Sequence, residues 1–310
     1  PDAVINAISR SETKVITLTI TEKGYCLNNS TGKLDYGNHD IQHDLNHLDK
    51  PITAIGYLVT GFKNRMETNG ENVTVISCDN LSQNGHVLNT AILDFAKAID
   101  PNLRKWIDDH VSFPSTMVDR IVPATTAEDI KNVSDAIGAK DHACVTTEPF
   151  SQWVIENNFA GPVPAWDKVG ATYVNDVKPF ENMKLRLLNA SHSTIAYLGC
   201  LTGHETVAEA INDPALKTLI KRTMLTELAP TLQMPEGFDV SLYVEQLMER
   251  FSNQSLHHKT YQIAMDGSQK IPQRILPALI HRISNNEPYP GLAIALASWI
   301  KYIHGNHHTE

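Results

Sequence analysis

Glu181, Lys184, Asn189 and His192 are an acid, an amine, an amide and an imidazole within twelve residues of one another. They lie in an apolar-periodic run from Phe180 to Leu201, with Pro179 at its mouth and no glycine before Gly199. That pattern predicts a long helix. At roughly 100° per residue the four side chains fall within an arc of about 140°. Leu185, Leu188 and Ile195 share the sector, which seats the polar groups among apolar neighbours. A lysine packed inward there loses hydration, and desolvation disfavours its charged form, making it a usable proton acceptor near neutral pH. The alternative is an amphipathic helix with a solvated lysine and a core histidine satisfied by a carbonyl.

The elements that must position this helix follow in chain order. Pro1 to Arg10 reads as a short helix, and Val15 to Ile20 as a buried strand with Thr19 near its carboxyl end. Asp35 to Lys50 is polar and loop-like. Helices are expected over 52–66, 84–99 and 127–137, and strands over 73–77, 119–122 and 143–146. Strands alternating with helices imply an α/β fold with a doubly wound parallel sheet, which binds ligands at the carboxyl ends of its strands. From Phe180 onward the chain reads as helix and short loop, with breaks at Gly203, Asp213-Pro214, Pro235-Glu236-Gly237, Ile271-Pro272 and Pro288-Tyr289-Pro290-Gly291. This divides the chain into 1–178, a sheet domain, and 179–310, an all-helical one. No glycine-rich G-x-G-x-x-G turn follows a strand, and no complete opening βαβ unit is present.

Composition narrows the class. The 310 residues carry a formal charge of −9 without long like-charge blocks, which argues against a nucleic-acid or anionic-membrane surface. Cys26, Cys78, Cys144 and Cys200 stand far apart, as expected of reduced core residues in a cytoplasmic protein. His39, His43 and His47 are spaced by four, yet their Gly/Asn/Asp-rich surroundings favour a solvated loop over a metal site. His304, His307 and His308 at the tail are no stronger as ligands.

Three further segments have polar residues in suggestive places. In Ser77-Cys78-Asp79-Asn80-Leu81-Ser82-Gln83-Asn84-Gly85, between a strand and a helix, Asn80 can aim its amide at an oxygen above the sheet. An Asx turn with a helix cap explains the same residues. Asp119 can accept from substrate hydroxyls, or simply pair with Arg120 or a helix end. Lys270 and Arg274, four apart, share a face if Pro272 leaves the helix continuous, and paired cations suit a carboxylate; surface solubility is the competing account.

The run Met183-Lys184-Leu185-Arg186-Leu187-Leu188-Asn189-x-x-His192-Ser193 resembles the signature of the polyol-specific long-chain dehydrogenase, or mannitol dehydrogenase, family. The 77–85 segment, Met117-Val118-Asp119-Arg120-Ile121-x-Pro123 and Glu148-Pro149-Phe150-x-Gln152-Trp153-Val154 are similar to other segments of that family. The stretch 262–274, beginning Gln-Ile-Ala-Met-Asp-Gly, resembles its fructuronate reductase form; mannitol dehydrogenases more often have arginine where Gln262 stands. The resemblance implies a partial Rossmann-like sheet followed by a helical domain. It implies a metal-independent oxidoreductase moving hydride between NAD(H) and a secondary alcohol or ketone of a sugar acid, fructuronate to mannonate. Mannitol 2-dehydrogenase activity is the alternative, and a non-catalytic domain that keeps the fold is the alternative from another class. In the implied mechanism Lys184 is the general acid/base, Asn189 and Asn80 hydrogen-bond the reacting oxygen, and His192 orients a hydroxyl. Glu181 relays protons; Asp119, Lys270 and Arg274 bind substrate; Thr19 and Asn80 touch the cofactor. Because the family's glycine-rich turn precedes anything matching Pro1, and its helical domain runs past Glu310, the resemblance also implies an internal portion of such a protein.

Overall fold

The computed structural model describes residues 1–28, 30–68 and 70–305, in two compact units. His307 and His308 lie outside the described residues. The first unit is Pro1–Val118 with Gln152–Lys178; the second is Asp119–Ser151 with Pro179–Glu310. The sequence-based boundary near residue 178 is one of the junctions, but the segment 119–151 groups with the helices.

In the first unit, Val15–Leu18 (β1), Val73–Ser77 (β2) and Val111–Ser112 (β3) form a parallel sheet in the order β1-β2-β3. Every residue of β2 is buried, as expected of a central strand covered on both faces. Its Val73 and Val75 join a core with Ile55, Val59 and Phe62 from the helix Ala54–Thr68 and Leu88, Ile92 and Phe95 from the helix Asn84–Ile99. A second three-stranded sheet contains Thr116–Asp119 (β4), Gln152–Glu156 (β5) and Ala171–Val174 (β6), with β5 and β6 parallel. Buried Arg65 fastens the N-terminal helix Asp2–Ser9 to this unit, donating to the carbonyls of Ile8, Arg10, Thr13, Glu71 and Asn72.

Several expectations are corrected. His39–Asn46 is a helix, not a solvated loop, because Asn38 caps it by accepting from the Asp40 and Ile41 N–H groups and Ile41 is buried beneath it. The strand expected over 119–122 ends at Asp119. Ala143–Thr146 is not a strand: side chains satisfy its backbone, with Thr125 donating to the Cys144 carbonyl and Asp141 accepting from the Ala143 N–H. The helix Pro101–His110 and strands β3, β5 and β6 were not anticipated.

In the second unit, helix Ala127–Ile137 begins at a capping box between Thr126 and Asp129 and ends at Gly138, whose φ of 70° suits glycine. The predicted long helix is a composite. Lys178–Met183 is α-helical, Lys184–Asn189 is a π-helix, and Ala190–Thr202 is α-helical again, ending at Gly203 with φ 83°. Its last section packs against Val207–Asn212, Thr260–Ala264 and Pro290–His304. Asp213 caps a helix with Pro214 at its first turn, as the sequence break implies. Ile271-Pro272 is no break, since Gly267–Arg274 is helical through it. Buried Glu227 accepts from the Gly291 and Leu292 N–H groups and so caps Pro290–His304.

Candidate active site

Lys184 is the first residue of the π-helical turn and Asn189 the last. Hydrogen bonding from residue i to i+5 places residues five apart about one turn from each other. In a regular α-helix these two would mark the extremes of the 140° arc; the π turn draws them together. Burial is the main cause pushing the Lys184 ammonium below the ordinary lysine value. Asp119 opposes that shift, Arg250 and Arg274 add to it, and Glu181 opposes it. Glu181 itself is buried, on the turn before Lys184.

His192, only 8% exposed, packs its ring 5.5 Å from Phe251 in a stacked arrangement and 4.9 Å from His258, edge to face. Its Nε2 is buried without a hydrogen-bond partner among the described residues. Burial chiefly, then His258, Arg274, Arg250 and Lys270, hold it well below the usual histidine range, so the ring is neutral.

Asp119 is paired with Arg250, not with Arg120. Arg250 Nη1 donates to Asp119 Oδ2 at 2.9 Å and Nη2 to Oδ1 at 2.8 Å. Its Nε and Nη2 donate to Glu148 at 3.0 and 2.8 Å, and its guanidinium lies 4.0 Å from the Phe150 ring centre. Tyr243 Oη adds a bond to Asp119 at 3.2 Å. Burial alone would depress the Arg250 guanidinium, but its bonds to Asp119 and Glu148, with their charges, leave it raised. Arg120 instead donates to the Glu148 carbonyl. Asp119 and Glu148 were visible in the sequence, but Arg250, 131 residues beyond Asp119, gave no local signal.

Lys270 and Arg274 share the helix Gly267–Arg274. Lys270 Nζ donates to the carbonyls of Ile263 and Met265, with the exposed Asp266 carboxylate 4.0 Å away. Arg274 Nη1 donates to Ser193 Oγ at 3.0 Å and to the Asn189 carbonyl at 3.5 Å. Among the described residues no carboxylate lies within ion-pair distance of Arg274. Its charge is therefore desolvated and uncompensated, and burial pushes its pKa down.

In the first unit, Thr19 directly follows β1 and Asn80 lies three residues past β2. The Cys78 N–H donates to the Leu18 carbonyl, extending the β1–β2 ladder to its carboxyl edge. Both candidates are exposed. The loop bearing Asn80 is pinned from beneath: buried Asn84 Nδ2 donates to the Ser77 carbonyl, and Tyr25 hydrogen-bonds Asp79. A fixed loop with exposed polar residues on the carboxyl edge of adjacent parallel strands fits a nucleotide cofactor. Among the described residues no helix is long and apolar enough to cross a membrane, and no three His, Cys, Asp or Glu residues converge as metal ligands.

A parallel α/β unit with an open carboxyl edge, joined to a separate helical unit, is the architecture of a Rossmann-type protein with an added helical domain. The chain belongs to the mannitol dehydrogenase family: residues 1–168 match its Rossmann domain and residues 176–309 its C-terminal domain. It is 49% identical over 304 residues to D-mannonate oxidoreductase of Escherichia coli (strain K12), covering 98% of this chain and 63% of the relative. Among solved structures it resembles D-sorbitol dehydrogenase in substrate-free form, at TM-score 0.92 and 36% identity, over 97% of this chain and 62% of that one. It also resembles Pseudomonas fluorescens mannitol 2-dehydrogenase in ternary complex with NAD and D-mannitol, at TM-score 0.83 and 38% identity, over 97% and 61%. The chain thus spans less than two thirds of the length of these relatives.

Proposed function

We propose that the protein containing this chain is an NAD-dependent oxidoreductase that interconverts a ketone and a secondary alcohol on a sugar acid, fructuronate and mannonate being the preferred pair. The observation supporting proton chemistry is the desolvated Lys184 at the start of a π turn, with Asn189 one turn beyond. NAD, when bound, supplies or accepts the hydride. Thr19 and Asn80 contribute to holding the nicotinamide cofactor at the carboxyl edge of β1 and β2. Lys184 accepts the hydroxyl proton during oxidation and returns it during reduction, because an alkoxide left unneutralised is too high in energy. Asn189 donates an amide hydrogen to the oxygen on which negative charge grows. Neutral His192 orients a neighbouring hydroxyl, and Glu181 exchanges protons with Lys184. Asp119, tied to Arg250, moderates how far the lysine is depressed.

Substrate class rests on two supports. The D-mannonate oxidoreductase relative is more similar in sequence than the mannitol 2-dehydrogenase structure, at 49% against 38%. Arg274, partly buried and with no carboxylate in ion-pair distance among the described residues, is a ready partner for one, and charge-assisted hydrogen bonds are roughly twice as strong as neutral ones. The mannitol reading draws on the D-mannitol bound in the Pseudomonas relative. We place the enzyme in the cytoplasm, in keeping with four free cysteines among the described residues. The test is NADH oxidation by the full-length protein with fructuronate or fructose, with and without Lys184→Ala. Loss of turnover by ~10²–10⁴-fold with cofactor binding retained is expected. Unchanged turnover in Lys184→Ala would return the lysine to a structural role, and a preference for fructose would overturn the sugar-acid assignment.

A further inference from the structure

A cavity of about 730 Å³ in the second unit is lined by Thr125, Thr126, Asp129, His258 and Gln262, among others. That volume lies within the range of small-molecule sites. His258 makes a ring contact from this wall to the proposed catalytic helix, its ring lying 4.9 Å from His192 and 68° to it. The backbone around it is pinned. The turn Gln254–Leu256 ends at His257 in the left-handed region (φ 44°), the His258 carbonyl accepts from Val207 N–H at 3.0 Å, and Lys259 bridges to Thr206. The ring is therefore delivered to one place by local structure. Among the described residues it makes no hydrogen bond, and burial holds it below the usual histidine range, so it presents a neutral donor and acceptor.

The charges around the cavity restrict what enters. Asp129 and Glu128 belong to its wall, and the wall's Lys259 is drawn to Glu205 at 3.1 Å. A carboxylate is disfavoured there, whereas a hydroxyl can both donate to and accept from an imidazole. Arg274, which lies outside this wall, bonds Ser193 Oγ and the Asn189 carbonyl beside His192 and has no acidic partner among the described residues, so it suits the charged end of the same molecule.

Resting on the sugar-acid reading above, we propose that His258 is a specificity-determining residue. It receives the hydroxyl-bearing end of a polyhydroxylated substrate in this cavity and, through its ring contact, positions His192. The buried, unpartnered Nε2 of His192 gives that positioning a purpose: a ring fixed on one side retains one free polar atom for a ligand hydroxyl.

The experiment titrates full-length protein calorimetrically with a six-carbon aldonate and with three-carbon glycerate, which keeps the carboxylate but lacks the distal hydroxyls. Variants are His258→Phe, which preserves an aromatic edge, and His258→Gln, which preserves a donor and an acceptor; thermal unfolding of each shows that it is folded. His258→Phe should weaken aldonate binding about 10-fold, the equivalent of one net hydrogen bond, and leave glycerate unchanged. His258→Gln should recover part of the loss, and in turnover KM should rise more than kcat falls. If His258→Phe does not fold, the aldonate-to-glycerate ratio in His258→Gln decides, and it should fall below that of the wild type. An unchanged ratio in the folded variants, equal weakening of both acids, or no wild-type preference for the aldonate would overturn the proposal. Selective loss of aldonate binding in a protein that turns over no alcohol would support this subsite while refuting the proposed activity.

Discussion

Replacing Arg250 with methionine tests the electrostatic frame beneath Lys184. The side chains of Arg250, Asp119 and Glu148 are 6%, 2% and 1% exposed, so water cannot compensate for a lost partner. Arg250→Met removes four charge-assisted hydrogen bonds and leaves two carboxylates buried together without the guanidinium that pairs them. Breaking a buried pair in this way costs about 3–5 kcal/mol, most of it the penalty of the stranded charges. Urea unfolding of wild type and variant should show that difference as a lower midpoint with a similar slope. A triple variant, Arg250→Met with Asp119→Asn and Glu148→Gln, removes the charges yet retains acceptors for Tyr243 Oη and the Ile121 N–H, which bond Asp119 and Glu148. It should recover more than half of the loss. A decrease under about 1 kcal/mol in the single variant, or a triple variant no more stable than the single one, would show that stranded charge is not the cause.

Other consequences follow from the same geometry. Because burial depresses Lys184, kcat/KM for alcohol oxidation should rise with pH and level off with a midpoint below 10.5, while ketone reduction falls over the same window; a midpoint at or above 10.5 would remove the desolvated base. The unfolded chain binds that proton more readily, so the lysine's contribution to stability is present above 10.5 and is lost as pH falls through the depressed value, measurable as a difference between wild type and Lys184→Met. Lys270→Met should lower kcat/KM for the uronate more than for a neutral ketose, and an equal loss on both would argue against a role in carboxylate recognition. Gly85→Ala should destabilise the first unit by about 1–3 kcal/mol, since a Cβ there would stand 2.4 Å from the Phe113 carbonyl oxygen; an unchanged melting temperature would mean the helix can retreat.

What could be read from the sequence was what local chemistry decides. Helices Asn84–Ile99 and Ala127–Ile137 stand where the sequence placed them, to the residue, and the structure shows the second held between a capping box at Thr126 and Asp129 and a left-handed Gly138. Ala143–Thr146 misled because β-branched content reports a preference for extended backbone, not a neighbouring strand to pair with. The grouping of Lys184, Asn189 and His192 on one helix was legible through spacing. The π turn was not, because residues 184–189 also satisfy an α-helical pattern and only the tertiary packing selects between them. The Arg250 network was illegible for a different reason: its members stand 102 and 131 residues apart, and nothing within one element distinguishes Arg250 from a surface arginine.

The π turn has a consequence for how this helix can vary. It amounts to one residue more than a regular α-helix needs to cover the same rise, so it acts as a phase shifter between two screws. Upstream, Phe180 and Met183 are buried; downstream, Ile195, Ala196 and Tyr197 are buried, each set keyed to its own surroundings. The extra residue lets both sets stay buried while the polar side chains between them collect on one side. Substitutions within 184–189 leave that count intact, and deleting one residue between Lys184 and Asn189 removes only the surplus, leaving a regular helix whose two flanks keep nearly the same phase. A change of length is ruinous on either side of the turn instead, where the helix is regular and each residue removed rotates one buried set by about 100° relative to the other.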